Sequence, residues 1–146
     1  MRNMVVLIDT NVIINDITGR DDTFGESSTQ IMKLCGLRRL NGYIAFHSLS
    51  TIWYILRKRP ESDRRFLLGN VCNILTITSA TQRQVRDAIA NKDFHDFEDC
   101  LQDQCAKNAG AEYIVTCNIK DFRNAETRAV TPAEMLDIFR HSGGQL

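Results

Sequence analysis

Short continuous apolar runs alternate along the chain with longer stretches whose apolar side chains recur every three or four positions. Val5-Val6-Leu7-Ile8 is a β-branched run suited to a strand buried on both faces, and Asp9-Thr10-Asn11 ends it. Val12-Ile13-Ile14 begins a short helical turn, and the polar segment 18–25, with two glycines, predicts a loop. Residues 26–40 place Ile31, Leu34, Cys35 and Leu37 on one helical face, with Arg38 and Arg39 suited to its C-terminal end. Asn41-Gly42 reads as a break before a second strand at 43–46. Ser48 is expected to cap a helix bearing Ile52, Ile55 and Leu56, which Pro60 limits. A helix at 61–71, a strand at 74–77 and helices at 79–90 and 96–109 follow, the last ended by Gly110. Strands are expected at 113–116 and 128–130, and Thr131-Pro132 opens a final helix.

Strands that alternate with helices, each strand a continuous apolar run, predict an α/β fold: three α/β/α layers around a small, mostly parallel sheet. Residues 1–141 are expected to form a single domain and 142–146 a loose C-terminal tail. Composition agrees, with 43% apolar and 25% charged residues and only 8 Gly and 2 Pro in 146 residues. No apolar run approaches the roughly 18–20 residues that span a bilayer. The run 4–8 is also short for a signal-peptide core of about 7–15. A cytoplasmic protein without membrane contact is the expectation.

The five cysteines are odd in number and lack the close pairs of a zinc ribbon, so buried thiols in a reducing compartment are expected. Eighteen basic residues balance eighteen acidic ones, which argues against a surface that binds polyanions all over. The charge is unevenly placed, however. Arg57, Lys58, Arg59, Arg64 and Arg65 crowd one stretch, and Asp93, Asp96, Glu98, Asp99 and Asp103 another.

In open α/β sheets, sites form beyond the carboxyl ends of the strands. Asp9 follows the first strand, and Asn118 and Asp121 follow the strand at 113–116. Each alone could merely cap a helix or stabilise a turn, but together they point to one site. At about 100° per residue, Asp96, Asp99 and Asp103 project within a sector of roughly 60°, apart from an apolar face of Phe97, Leu101 and Cys105. Asp103 is expected on a solvated face. The helix dipole favours first-turn carboxylates by only about 0.3–1 kcal/mol, too little to hold several together against their repulsion. A divalent cation is the simplest neutraliser, and oxygen ligands favour Mg²⁺ or Mn²⁺ over Zn²⁺.

From Val5 to about Ala133, three strings resemble the PIN-domain ribonucleases, which include the VapC-type toxins of toxin–antitoxin pairs. They are Val6-Leu7-Ile8-Asp9-Thr10-Asn11, Asp96-Phe97-Glu98-Asp99-Cys100-Leu101-Gln102, and the run from Tyr113 through Asn118 and Asp121 to Phe122. The resemblance implies a Mg²⁺- or Mn²⁺-dependent endoribonuclease for single-stranded RNA, with a possible protein antitoxin and homodimerisation. It implies Asp9 and Asp99 as metal ligands, Asn118 at the fourth family position, and Asp121, with Asp96, among the outer acids. Thr10 and Asn11 could meet phosphate or fix the Asp9 rotamer. One departure stands out: Thr51 occupies the place of the family's usual acid after the second strand, and no Asp or Glu lies between Phe46 and Pro60. That favours, as the alternative, a degenerate module that binds RNA or a protein without turnover.

Arg64 and Arg65 are candidates for holding the RNA backbone, against the plainer reading of a solvated helix. Charge reversal there would flatten the salt dependence of binding if they do. Trp53 and Tyr54 could stack on bases, although their apolar neighbours favour core or dimer packing, and His95 reads as a surface histidine. A receiver domain would need an Asp after the third strand, where Ile77-Thr78-Ser79 has none. A haloacid-dehalogenase-type phosphatase would need Asp where Asn11 stands, and a dinucleotide fold needs a Gly-rich turn that is missing.

Overall fold

The computed structural model describes residues 3–19 and 23–145. Strand β1 (Val5–Ile8) leads into α1 (Thr10–Thr18), α2 (Gly25–Gly36), β2 (Asn41–Ala45) and α3 (Phe46–Ile55). There follow α4 (Glu61–Ile74), β3 (Thr76–Thr78), α5 (Gln82–Ala90), α6 (Phe97–Ala109) and β4 (Tyr113–Val115). A 3₁₀ turn (Ile119–Phe122), β5 (Arg128–Val130) and α7 (Pro132–His141) complete the described chain. The five strands run in the order β3-β2-β1-β4-β5, every neighbouring pair parallel.

Central β1 is apolar throughout because helices cover both faces of the sheet. Val6 and Ile8 pack into one core with Val12, Ile13, Ile31, Ile52, Met135 and Phe139, from α1, α2, α3 and α7. Leu7 points the other way, into a core with Ile114 of β4, Ala88 of α5, and Cys100 and Ala106 of α6. The three layers expected from the alternation are thus present. Register sets the site: Ile8 pairs with Val115, so the next residues, Asp9 and Thr116, emerge side by side. Asp9 N extends the ladder by donating to Val115 O at 2.9 Å. From here β1 leads to α1 and the β2 side of the sheet, and β4 to the β5 side, which opens a crevice between the two strand ends.

Several boundaries differ from the sequence expectation. Asn41-Gly42 is no break but the start of β2. A Cβ on Gly42 would lie 2.6 Å from Cys35 Sγ and 2.5 Å from Leu75 Cδ2, so close helix packing explains the glycine. Phe46, expected in the strand, opens α3, and Ser48 is no cap: it is wholly buried in the first turn, bonded to Thr10 and Gln102. Ile74 ends α4 instead of starting β3, and α5 begins at Gln82 behind a capping box from Thr81 and Gln84.

Arg38 and Arg39 lie past the end of α2, which stops at Gly36. Arg38 instead donates to Asn73 O (2.7 Å) and Ile74 O (3.0 Å), capping the end of α4. The loop expected at 18–25 lies partly outside the described residues. Gly110 has φ 69° at the end of α6, as its C-cap position requires. The tail is tied at two points, since Gly144 N donates to Phe139 O and Arg39 to Gln145 O. Cys35, Cys100 and Cys105 are buried thiols, Cys117 is half-buried and Cys72 is exposed. No helix among the described residues is long and apolar enough to cross a membrane.

Candidate active site

Beyond the ends of β1 and β4 lies an open cavity of about 510 Å³, walled by Asp9, Asp96, Glu98, Asp99 and Asp121 together with Asn11, Thr51 and Asn118. Asp9 is its deepest acid, only 7% exposed. It caps α1, and its Oδ1 accepts from Thr10 N at 2.9 Å. Its Oδ2 accepts from the Thr116 hydroxyl at 2.8 Å and from Asn11 Nδ2 at 3.2 Å. Asn11 is held in turn, its Oδ1 accepting from Cys117 N at 3.2 Å. Thr116 Oγ also accepts from Asn118 N at 3.0 Å, which joins the end of β4 to the Asp9 carboxylate. The helix cap and the site are therefore the same residue.

Burial pushes the Asp9 carboxyl up to about 6, against the pull of the Thr116 and Thr10 hydrogen bonds, and the charges of Glu98 and Asp121 add to the rise. Half-buried Asp99 is pushed up to about 7, first by burial and then by the charges of Asp9, Asp96, Asp121 and Glu98. Asp96 caps α6, accepting from Asp99 N at 3.1 Å. Asp121 reaches the cavity from the exposed 3₁₀ turn.

Thr10 lines the cavity, but its hydroxyl is spent on Ser48 Oγ at 2.9 Å. The Thr10 amide and the Asn11 side chain both donate to the Asp9 carboxylate. Thr51 does reach the cavity, and its hydroxyl stands 3.3 Å from Glu98 Oε1 as well as from His47 O. Burial lowers the His47 pKa, and Glu98 opposes that effect. Arg64 and Arg65 do not line the acidic cavity. Their guanidinium carbons sit 4.0 and 5.5 Å from the Trp53 ring centroid, and Arg65 pairs with Glu61 at 2.8 Å. Trp53 and Tyr54 are not core residues: Tyr54 is exposed and carries Arg57 over its ring at 4.2 Å.

Two corrections concern α6. Asp103 is not solvated but 3% exposed, accepting from Glu126 N at 2.9 Å and Thr127 N at 3.1 Å, so that it anchors the loop before β5. It shares the azimuth of Asp99 but lies about 6 Å further along the axis, below the cavity. Phe97, expected on the apolar face, is exposed. Sequence reasoning missed Glu98 and Thr116. Glu98 lies about 100° round the helix from Asp99, yet a first-turn residue at a cavity mouth has room to bend in. Thr116 is marked only by parallel register opposite Asp9.

The PIN domain family model matches residues 5–120, and the chain belongs to the PIN domain family. It is 27% identical over 141 residues to Ribonuclease VapC1 of Aquifex aeolicus (strain VF5), across 94% of this chain and 96% of that one. Two solved structures share the fold at a TM-score of 0.64. One is VapBC2 from Rickettsia felis bound to a DNA fragment from its promoter, 18% identical over 88% of this chain and 98% of that one. The other is Mycobacterium tuberculosis VapC20, described as a sarcin-ricin loop cleaving toxin, 15% identical over 87% of this chain and 99% of that one.

Proposed function

We propose that this chain is a Mg²⁺- or Mn²⁺-dependent endoribonuclease acting on single-stranded RNA in the cytoplasm, and the toxin of a toxin–antitoxin pair. The observation that carries this reading is that Asp9 and Asp99, ninety positions apart, wall one cavity while sitting in an environment that disfavours their charge. Such crowding calls for a cation. No three His, Cys, Asp or Glu side chains among the described residues are arranged as a cage for an ion. Mg²⁺ needs none, because it is usually held by one or two carboxylates together with waters and substrate phosphates. The all-oxygen lining fits that demand.

Asp9 and Asp99 would hold the ion, with Asp96, Asp121 and Glu98 supplying acceptors around it. When bound, the ion polarises the phosphate and makes a water nucleophilic at neutral pH. The chain's own groups do the positioning. Thr116, Asn11 and the Thr10 amide lock both oxygens of Asp9, so the carboxylate needs no reorganisation during the reaction. Asn118, exposed at the cavity edge, offers an amide to a phosphate oxygen. Glu98, steadied by Thr51, supplies the carboxylate that α3 lacks. The exposed Phe46, Tyr54, Ile55 and Phe66 support a protein contact on α3 and α4, either with an antitoxin or with a second copy.

The test is cleavage of single-stranded RNA with Mg²⁺ or Mn²⁺, run beside Asp9→Asn and Asp99→Asn. Cleavage lost in both variants and in EDTA supports the reading. Cleavage that survives either treatment refutes it, and RNA binding without turnover marks the degenerate module.

A further inference from the structure

A second cavity of about 390 Å³ adjoins the acidic one, and Asp121 lines both. Its other walls are Lys120, Arg123, His95, Asn124 and Asp93, over Phe94, which is 8% exposed. The volume is within the range of small-molecule sites, roughly 300–1,000 Å³.

The walls are firmly built. Asn124 Nδ2 donates to Asp93 O at 2.5 Å, bridging the segment after the 3₁₀ turn to the one before α6. Phe122 of that turn is buried, and Ala125 N returns to its carbonyl at 3.0 Å. Lys107, Arg65 and Arg140 are each paired with a carboxylate, whereas none of the ion pairs among the described residues uses Lys120 or Arg123.

An RNA backbone brought to the acidic cavity meets several carboxylates, and a chain of zero net charge offers no general attraction to offset that repulsion. The divalent ion proposed above would neutralise the acids it touches, so cations for the flanking phosphates must stand beside that cavity. Arg64 and Arg65 are stacked on Trp53 and do not line the acidic cavity. Lys120 and Arg123 belong to a cavity that shares a wall with it.

We propose that this second cavity binds the nucleotide adjoining the scissile phosphate, with Lys120 and Arg123 pairing with its phosphate. The phosphate settles away from Asp93, whose carboxylate accepts instead from an amino group on the base edge. Phe94 provides an apolar floor. This rests on RNA being the ligand of the acidic cavity, as proposed above, but not on turnover there.

Fluorescence anisotropy of a labelled single-stranded oligoribonucleotide, measured across a KCl series without divalent ions, tests it on the full chain. Lys120→Ala/Arg123→Ala weakens binding, and the slope of log K against log salt falls by about 0.7 for each phosphate that is no longer neutralised. Arg83→Ala/Arg86→Ala, which removes the same charge from exposed positions on α5, leaves the slope alone. Both double variants keep the wild-type melting temperature. Equal slopes in the two variants, or no binding of the oligoribonucleotide by the wild-type chain, overturn the proposal. A lowered slope in a chain that never cleaves RNA sinks the nuclease reading and leaves the subsite standing. Cleavage with equal slopes does the reverse.

Discussion

Replacing Asp99 by Asn isolates what the crowding of carboxylates costs the fold. No hydrogen bond among the described residues uses the Asp99 carboxylate, so the isosteric amide loses only charge. The folded-state carboxyl is raised from 3.8 to about 7. The folded chain therefore binds this proton more tightly than the unfolded one, and stability falls as pH rises from about 4 to about 7. At about 1.36 kcal/mol per pKa unit the full shift is worth roughly 4 kcal/mol. Asp99 is only half-buried, and solvent and salt screening reduce the figure to about 1–2 kcal/mol. Thermal unfolding in EDTA at pH 7.5 should then show Asp99→Asn melting roughly 3–8 °C above the wild type. The gap should narrow as pH falls below about 7 and close near 4, where the group is protonated in the folded and the unfolded chain alike. Saturating Mg²⁺ should raise the melting temperature of the wild type and barely move the variant, since a ligand at 100 times its Kd adds about 2.7 kcal/mol. A variant that melts at or below the wild type in EDTA, with the same pH dependence, would refute the repulsion argument.

Other substitutions probe other parts of the same design. Glu98→Gln should weaken Mn²⁺ binding by about 10-fold or more, read by calorimetry, and Thr51→Val should weaken it less, because it loosens the carboxylate without removing it. Asp103→Ala strips two backbone N–H groups of their acceptor in a buried setting and should cost about 2–4 kcal/mol in urea unfolding. Gly42→Ala forces Cys35 and Leu75 aside and should cost about 1–3 kcal/mol in the same measurement.

What the sequence made legible were the features with a single local cause. Val5–Ile8 is apolar at every position because two cores claim its alternate residues, and Gly110 ends α6 because only glycine adopts φ 69° there without strain. The misread boundaries have tertiary causes. Gly42 looks like a breaker in isolation, yet inside β2 it is the residue that lets Cys35 and Leu75 approach. Ser48 looks like a cap, yet its hydroxyl is held by Thr10 and Gln102, thirty-eight and fifty-four positions away. Asp103 failed for a related reason. A helical wheel gives azimuth but not depth, and one turn separates a carboxylate at a cavity mouth from one that holds a loop.

Thr51 shows why a motif departure does not decide function by itself. The family resemblance leaves an acid missing from α3, and a site with one charge fewer should hold a cation less firmly. Charge balance, however, belongs to a volume and not to a position in a string. The hydroxyl of Thr51 reaches Glu98 forty-seven residues away, and that carboxylate adds, after burial, to the rise in proton affinity of both Asp9 and Asp99. In the function proposed above, Glu98 of α6 takes the place of the acid absent from α3. For the same reason, restoring an acid as Thr51→Glu should repel Glu98 and not simply strengthen the site, and a gain in Mn²⁺ affinity in that variant would show that Glu98 does not stand in for the missing acid.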